Sequence, residues 1–212
     1  MPPSTHRILH ADAAIIVADK PAGLLSVPGR RESDCLVARV QADYPDARIV
    51  HRLDMATSGL IVLARDAEAH RRLGRAFEER RVAKRYLAEV HGHVADEAGE
   101  VDLPLRCDWE NRPRQMVDFA QGRRALTRYR VLDRHGSGED ARTRVELEPV
   151  TGRSHQLRVH LQALGHPILG DELYAPPPSA ARFGRLHLHA AGIAFVHPAS
   201  DEPVRFESRP PF

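Results

Sequence analysis

Short apolar runs, separated by glycine, proline and polar clusters, dominate the hydrophobic pattern of the chain. The run AAIIVAD at 13–19 is continuous and predicts a buried strand, and ARIV at 47–50 and LIVLAR at 60–65 predict two more. Strands with alternating apolar and polar positions are predicted from AKRYLAEVHG, ALTRYRVLD and RTRVELEPV, and the closing strands from RLHLHAAGIAFVHP and PVRFES. The pattern therefore indicates a protein built mainly on β-strands.

Two helices interrupt this pattern. Apolar residues recur at helical spacing over 67–81, and Asp66 precedes them as the predicted N-cap. A second helix is expected after Ser154, again as N-cap, with Leu157 and Leu161 in its core stripe and Gly165 at its end. The segment PPPSAARFG is predicted to be a loop.

These elements predict an α+β fold in one domain, residues 1–212, which is long enough to be a complete catalytic domain. Its core is expected between about residues 7 and 207. The sheet is expected to be large, mixed and mostly antiparallel, with few helices. The apolar runs are too short to span a bilayer, and the opening MPPSTHRILHAD has no secretory leader, so we expect a cytoplasmic protein without a membrane partner. Cys35 and Cys107 are expected to be reduced thiols.

The net charge of only +2 suggests a nearly neutral surface, but the arginines are concentrated in clusters. They occur in HRRLGRAFEERRVAKRY, NRPRQ, QGRRALTRYR and TGRSHQLRVH, and four of them favour a polyanionic partner over an evenly solvated surface. Aromatic residues make up only 5% of the chain, which disfavours a surface that stacks many bases in a row.

The stretch HRLDMATSG at 51–59 places polar side chains between two predicted strands. Arg52 lies two positions before Asp54, and a neighbouring cation keeps a carboxylate ionised. Composition alone favours a capped turn, in which Thr57 and Ser58 bond the backbone and Arg52 pairs with Asp54. A catalytic carboxylate at Asp54 is the alternative.

A second polar cluster lies at the predicted start of the helix in TGRSHQLRVH. Arg153, His155 and Arg158 gather where backbone N–H groups already favour an anion, so a phosphate or a buried carboxylate is the expected partner. Thirteen histidines also invite a metal site, but no HExxH or cysteine ligand pattern accompanies them. We therefore expect no metal and no nucleotide cofactor.

HRLDMATSGLIVLAR resembles the signature of the RluA family of pseudouridine synthases. Four further segments resemble the family in the same order: DKPAGLLSVPGR, AKRYLAEVHG, TGRSHQLRVHLQALGHPILGDELY and RLHLHA. The resemblance implies isomerisation of uridine in RNA without a cofactor, and LPLRCDWENRPRQMV is most similar to the dual-specificity members that act on 23S rRNA and tRNA. No S4-type RNA-binding domain is expected, and a monomer is favoured.

The resemblance also implies roles for individual residues. The family's essential aspartate falls on Asp54, its active-site tyrosine on Tyr86, and the arginine that pairs with the aspartate on Arg158. Asp54 would act on the sugar, either as a nucleophile at the anomeric carbon or as a base at the neighbouring carbon. Arg52 is the candidate that enters the RNA stack when the uridine flips out. Six further residues are expected to contact RNA: His51, Arg30, Arg112, Arg114, Arg153 and His155.

Three other functions compete with this interpretation. A related synthase that acts on one RNA only is the nearest, and an RNA-binding homologue without activity is disfavoured because Asp54, Tyr86 and Arg158 are all present. A metal-dependent nuclease would require clustered carboxylates, which the sequence does not show.

Overall fold

A computed structural model describes residues 6–30 and 32–212. The strands are, in chain order, β1 (Arg7–Ala11), β2 (Ile15–Lys20), β3 (Arg48–Ile49), β4 (Ser58–Ala64), β5 (Ala83–His91), β6 (Ala98–Asp102), β7 (Leu105–Cys107), β8 (Gln115–Val117), β9 (Leu126–His135), β10 (Arg142–Pro149), β11 (Leu188–Val196) and β12 (Pro203–Glu207). The helices are α1 (Leu36–Asp43), α2 (Ala67–Glu78), α3 (Gln156–Ala163) and α4 (Pro177–Phe183), with a 3₁₀ turn at Gly138–Asp140. The predicted α+β class with a mixed, mostly antiparallel sheet is confirmed.

The chain divides into two compact units, whereas the sequence predicted one domain over residues 1–212. Unit 1 contains the described residues up to Lys84 together with His189–Pro211, and unit 2 contains Arg85–Leu188 and Phe212. The single-domain assignment stays a prediction.

Unit 1 is a mixed sheet covered by a helix. Its strands lie in the order β1-β2-β4-β11, with β3 also paired to β4 and β12 to β11. All pairs are antiparallel except β4 and β11, which run parallel. The α2 residues Leu73 and Ala76 pack against Leu60 and Val62 of β4. Because every residue of β4 is buried, this strand carries the core of the unit.

Unit 2 is an antiparallel sheet in the order β5-β10-β9-β6, accompanied by the β7-β8 hairpin. In the register of β5 and β10, Tyr86 lies opposite Leu147. Helix α3 contacts β8, β9 and β10. A small core joins Val159 of α3 to Leu105, Ala125 and Tyr174.

The ends of the helices test the predicted caps. Asp66 caps α2 as predicted, since its carboxylate accepts the backbone N–H of Ala69 at 2.7 Å. The Ser154 cap is wrong: His155 occupies the N-cap position of α3 with φ of 52°, and it makes no capping bond. The Gln156 side chain instead accepts the backbone N–H of Arg153 at 3.0 Å, so the first helical residue reaches back to the preceding turn.

The predicted loop at PPPSAARFG is also wrong, because residues 177–183 form α4. Proline at the first helical position has a φ already suited to a helix, and Gly184 ends the helix with φ of +64°. Helix α1 was not predicted. Its N-cap is Cys35, which provides no side-chain capping bond, so the usual sequence signal for a helix start is missing.

Candidate active site

The segment His51–Thr57, here called the Asp54 loop, connects β3 to the buried strand β4. Asp54 is half-buried, and Arg52 and Met55 on either side of it are exposed. The backbone carbonyl of Asp54 accepts the N–H of Thr57 at 3.1 Å, which closes a tight turn immediately before β4 begins. The loop therefore holds a carboxylate at the end of a rigid strand.

Two buried side chains fix the residues next to Asp54. The Ser26 hydroxyl donates to the Leu53 carbonyl at 2.7 Å, and its oxygen accepts the Leu53 N–H at 3.1 Å. On the other side, the Lys20 ammonium donates to the Met55 carbonyl at 3.0 Å. Asp54 is consequently held through the backbone of both neighbours.

The Lys20 ammonium is fully buried at the end of β2. It also donates to the carbonyls of Pro21 at 2.9 Å and Leu24 at 2.7 Å, so it draws the segment after β2 towards the Asp54 loop. Among 31 basic residues only Lys20 and Lys84 are lysines. An ammonium with three donors suits carbonyls that converge from different directions, whereas a planar guanidinium fork does not.

Gly59, at the start of β4, allows β11 to approach closely. With φ of +114°, a Cβ at this position would lie 2.6 Å from the backbone nitrogen of Ala190, and Ala190 is the residue paired with Gly59. Beside this contact, the Ser58 hydroxyl bonds His189 Nδ1 at 2.9 Å, and His189 Nε2 bonds the Ser208 hydroxyl at 3.1 Å. These bonds fix the end of the Asp54 loop to β11.

His51 is packed inside unit 1. Its ring stacks on Phe77 with 4.4 Å between centroids, and its Nε2 accepts the backbone N–H of Val62 at 3.0 Å. Burial and the Lys84 charge lower the pKa of His51 to about 3, so its ring is neutral at neutral pH. A neutral imidazole does not neutralise a phosphate, which leaves the predicted RNA contact of His51 without a charge to support it.

Arg158 lies on α3 in unit 2 and is buried. Its Nε and one terminal nitrogen donate to the two carboxylate oxygens of Asp171 at 2.8 and 2.7 Å. The family resemblance implied Asp54 as the partner of Arg158, and that pairing stays a prediction. The residues alone led us to expect a phosphate or a buried carboxylate, and the fully buried Asp171 is such a carboxylate, although its position was not predicted. Asp171 also accepts the backbone N–H groups of Leu173 and Tyr174.

Tyr174 brings several predicted site residues of unit 2 together. The guanidinium carbons of Arg158 and Arg114 lie 5.1 and 5.4 Å from its ring centroid. Its hydroxyl bonds His155 Nδ1 at 2.7 Å and accepts the backbone N–H of Gln115 at 2.7 Å. Burial raises the pKa of the Tyr174 hydroxyl, so this group stays protonated.

The remaining candidates lie in different surroundings. Tyr86 is half-buried on the same face of β5 as the buried Ala88 and Val90, as its alternation predicted. Arg30 is exposed, and the half-buried Arg153 donates from Nε to the Arg124 carbonyl at 3.1 Å. Their roles stay predictions.

Four residues that contact the candidate residues or their neighbours were not singled out from the sequence: Lys20 and Ser26 in unit 1, and Asp171 and Tyr174 in unit 2. They lie in DKPAGLLSVPG and GDELY, two stretches of the segments that resemble the family. The resemblance implied no role for these four positions. A lysine directly after a buried strand was the one available signal for Lys20.

Within residues 6–30 and 32–212, no group of three or more histidine, cysteine or acidic side chains could hold a metal ion. No helix there has the length and apolar character needed to cross a membrane.

Comparison with known proteins reveals similarity along nearly the whole chain. The sequence model of a family described as RNA pseudouridylate synthase matches residues 14–163. The "Dual-specificity RNA pseudouridine synthase RluA" of Yersinia pestis is 51% identical over 207 residues, covering 97% of this chain and 99% of the relative. The protein of the same name from Escherichia coli strain K12 is 52% identical over 203 residues, covering 95% of this chain and 91% of the relative.

A solved structure of "Human RNA Pseudouridylate Synthase Domain Containing 1" has a TM-score of 0.84 and 30% identity to this chain. It covers 100% of this chain and 87% of the human one. A second human structure, "Human RNA Pseudouridylate Synthase Domain Containing 4", has a TM-score of 0.75 at 30% identity, covering 96% and 88% respectively. The similarity therefore includes the fold as well as the sequence.

Proposed function

Because the chain belongs to the family of RNA pseudouridylate synthases, we propose that Asp54 is the carboxylate that starts its isomerisation of uridine in RNA. The chain is an isomerase: the bond between the base nitrogen N1 and the sugar carbon C1′ breaks, the uracil turns, and C5 bonds the same sugar carbon. The proton of C5 is lost and N1 gains one. Since atoms and electrons balance without an oxidant or a reductant, we expect no redox cofactor, and we expect no metal.

The observation that carries the proposal for Asp54 is the fixation of its two neighbours. Ser26 bonds both backbone groups of Leu53, and Lys20 bonds the carbonyl of Met55. A group that attacks or deprotonates a sugar carbon must be held in place, because a displacement of about 1 Å costs about a hundredfold in rate. A surface turn would not require a fully buried ammonium at its base.

Arg158 and Tyr86 complete the proposed catalytic group. The Asp171 fork uses two of the five N–H donors of Arg158 and sets the plane of its guanidinium. In our proposal the same cation pairs with the Asp54 carboxylate and orients it for either of its two chemical roles. Tyr86 presents its ring to the uracil, so that the base is held while it turns.

The proposed substrates are the anticodon stem-loop of tRNA and a loop of 23S rRNA, in keeping with the dual specificity named for the two bacterial relatives. A uridine in a stack must be flipped out to reach a half-buried carboxylate, at a cost of about a few kcal/mol. Exposed Arg52 is proposed to fill the vacated place in the stack. We propose that the protein acts as a monomer and in the cytoplasm.

Substitution of Asp54 by asparagine tests the catalytic assignment. RNA transcripts with tritium at uridine C5 release tritium when the new carbon–carbon bond forms, and Asp54→Asn should abolish this release because an amide neither attacks nor deprotonates the sugar. Binding of the anticodon stem-loop should persist. Asp43→Asn, at an exposed position on α1, is the matched control and should behave as wild type. Tritium release by Asp54→Asn would show that another group starts the reaction.

A further inference from the structure

The single tryptophan of the chain lies at the tip of the β7-β8 hairpin and is exposed. Trp109 keeps 65% of its surface accessible, although tryptophan is usually largely buried. Aromatic residues are scarce in this chain, so an exposed indole uses a rare side chain where it adds nothing to the core. An exposed aromatic ring of this size indicates a contact with a partner.

The loop that carries Trp109 is ordered by its own hydrogen bonds. The Asp108 carboxylate accepts from the Asn111 side chain at 2.9 Å, and the Asp108 backbone N–H donates to the Arg114 carbonyl at 3.0 Å. The Arg114 N–H in turn donates to the Asn111 carbonyl at 3.0 Å. Trp109 is thereby held on a closed turn, which lowers the entropy cost of binding through its ring.

Arg112 covers one face of the indole. Its guanidinium carbon lies 5.0 Å from the Trp109 ring centroid, and its Nε donates to the Trp109 carbonyl at 3.1 Å. Because Trp109 remains mostly exposed beside this cation, the opposite face of the ring is open to solvent. The pair therefore offers a flat apolar surface with a positive charge behind it.

The charge and the size of this surface decide its occupant. Residues 105–124, which comprise the hairpin and the segment that follows it, contain five arginines and three acidic residues. This part of the chain therefore carries a net positive charge that suits a polyanion better than an apolar protein segment. One exposed ring has room for one base, and proteins recognise unpaired RNA bases by stacking them on aromatic rings and guanidinium planes.

We propose that the open face of Trp109 stacks an unpaired base of the RNA substrate other than the target uridine, with Arg112 supporting the ring from behind. This inference rests on the proposed function, since it takes the anticodon stem-loop as a substrate. It assigns the hairpin tip to recognition of the RNA loop, and it leaves the chemistry to Asp54.

Tryptophan fluorescence measures this contact directly, because Trp109 is the only tryptophan of the chain and excitation at the long-wavelength edge of its absorption leaves the four tyrosines unexcited. The Asp54→Asn protein is titrated with the anticodon stem-loop and, separately, with a fully paired RNA duplex of equal length. We expect the stem-loop to quench the emission and to protect it from acrylamide. The duplex should leave it nearly unchanged, because it offers no unpaired base.

Substitutions supply the second measurement. Trp109→Ala should weaken stem-loop binding by about 5- to 150-fold and raise KM without lowering kcat at saturating RNA. Trp109→Phe should retain most of the affinity, since a smaller aromatic ring still stacks. Leu132→Ala removes another exposed apolar side chain from unit 2 and should bind as wild type does.

Unchanged emission upon saturation with an RNA that the wild-type protein converts would overturn the inference and leave the proposed function standing. Equal quenching by the stem-loop and the duplex would overturn it as well, because the hairpin would then contact backbone phosphates and not a base. If the wild-type protein releases no tritium from the stem-loop, the proposed tRNA substrate and the inference fail together, whereas the proposed role of Asp54 can still be tested on the 23S rRNA loop.

Discussion

Replacement of Lys20 by methionine removes the ammonium below the Asp54 loop while leaving an unbranched side chain of similar length. Lys20 has no exposed surface and donates to the carbonyls of Pro21, Leu24 and Met55. The variant therefore deletes the charge without opening a large cavity. We expect it to fold and to lose most of its activity.

The magnitude follows from the carbonyls that lose their donor. The Met55 carbonyl keeps a second donor, the Gly23 N–H at 2.9 Å, so the Pro21 and Leu24 carbonyls lose most. A buried acceptor left without a partner costs about 1–3 kcal/mol, which gives about 2–6 kcal/mol for the pair. Removal of a buried cation offsets this by several kcal/mol, since its desolvation is no longer required. The net change in unfolding free energy is accordingly expected to be small.

The effect on turnover is expected to be larger than the effect on stability. Without Lys20 the Asp54 loop loses the bond beside its carboxylate, and a displacement of about 1 Å should lower kcat about a hundredfold. Tritium release at saturating RNA measures kcat, and urea unfolding measures stability. Lys20→Arg should not restore activity, because a planar guanidinium does not fit three converging carbonyls.

A variant with a comparable polar loss elsewhere is the control. The buried Thr143 hydroxyl donates to the Gly92 carbonyl at 2.8 Å and accepts the Val94 N–H at 3.0 Å. Thr143→Val should lower the unfolding free energy and keep kcat. The reasoning is refuted if Lys20→Met turns RNA over as fast as wild type, or if both variants lose kcat in proportion to their loss of stability.

Two further predictions concern one packed ring in each unit, His51 in unit 1 and Tyr174 in unit 2. Burial and Lys84 lower the pKa of His51 from 6.5 to about 3. Between these pH values the unfolded chain binds a proton at His51 that the folded chain does not, so the free energy of unfolding falls as the pH falls from 6.5 towards 3. Above pH 6.5 His51 is neutral in both states, and this loss is absent. His51→Gln should reduce the pH slope of the unfolding free energy between these two pKa values by up to about 1.4 kcal/mol per pH unit, and identical slopes in urea titrations would contradict this. Tyr174→Phe removes the hydroxyl that bonds His155 and Gln115 but keeps the ring beside Arg158. It should lower the unfolding free energy by about 1–3 kcal/mol and raise KM at unchanged kcat, whereas a loss of kcat alone would show that the hydroxyl acts on the reaction.

Local signals explain which elements could be predicted from the sequence. Helix α2 combines a capping aspartate, Asp66, with a regular apolar stripe, and both signals are present in the sequence. Helix α3 starts after a left-handed His155, a conformation that nothing in TGRSHQ signals. Helices α1 and α4 have seven or eight residues and no side-chain cap, so the apolar pattern was too short to distinguish them from loops.

The site divides in the same way. Asp54 could be singled out as a candidate because HRLDMATSG is contiguous and resembles a family signature, whereas its composition alone favoured a capped turn. Its fixation could not be found, since Lys20 and Met55 are 35 positions apart and meet only after β2 and β4 have paired. The Asp171 partner of Arg158 is 13 positions away and belongs to a turn without a regular pattern. Partners that depend on tertiary pairing leave no periodic signal in one sequence.

The rarity of lysine has a consequence for measuring motion in this protein. Lys20 is sealed by backbone, whereas Lys84, the other lysine, is only half-buried. A reagent that acylates amines can reach Lys20 only while the segment around it is open. The rate at which Lys20 becomes acylated, followed by peptide mass, therefore reports how readily the segment that supports Asp54 opens. A comparison with and without RNA shows whether the substrate keeps this segment closed.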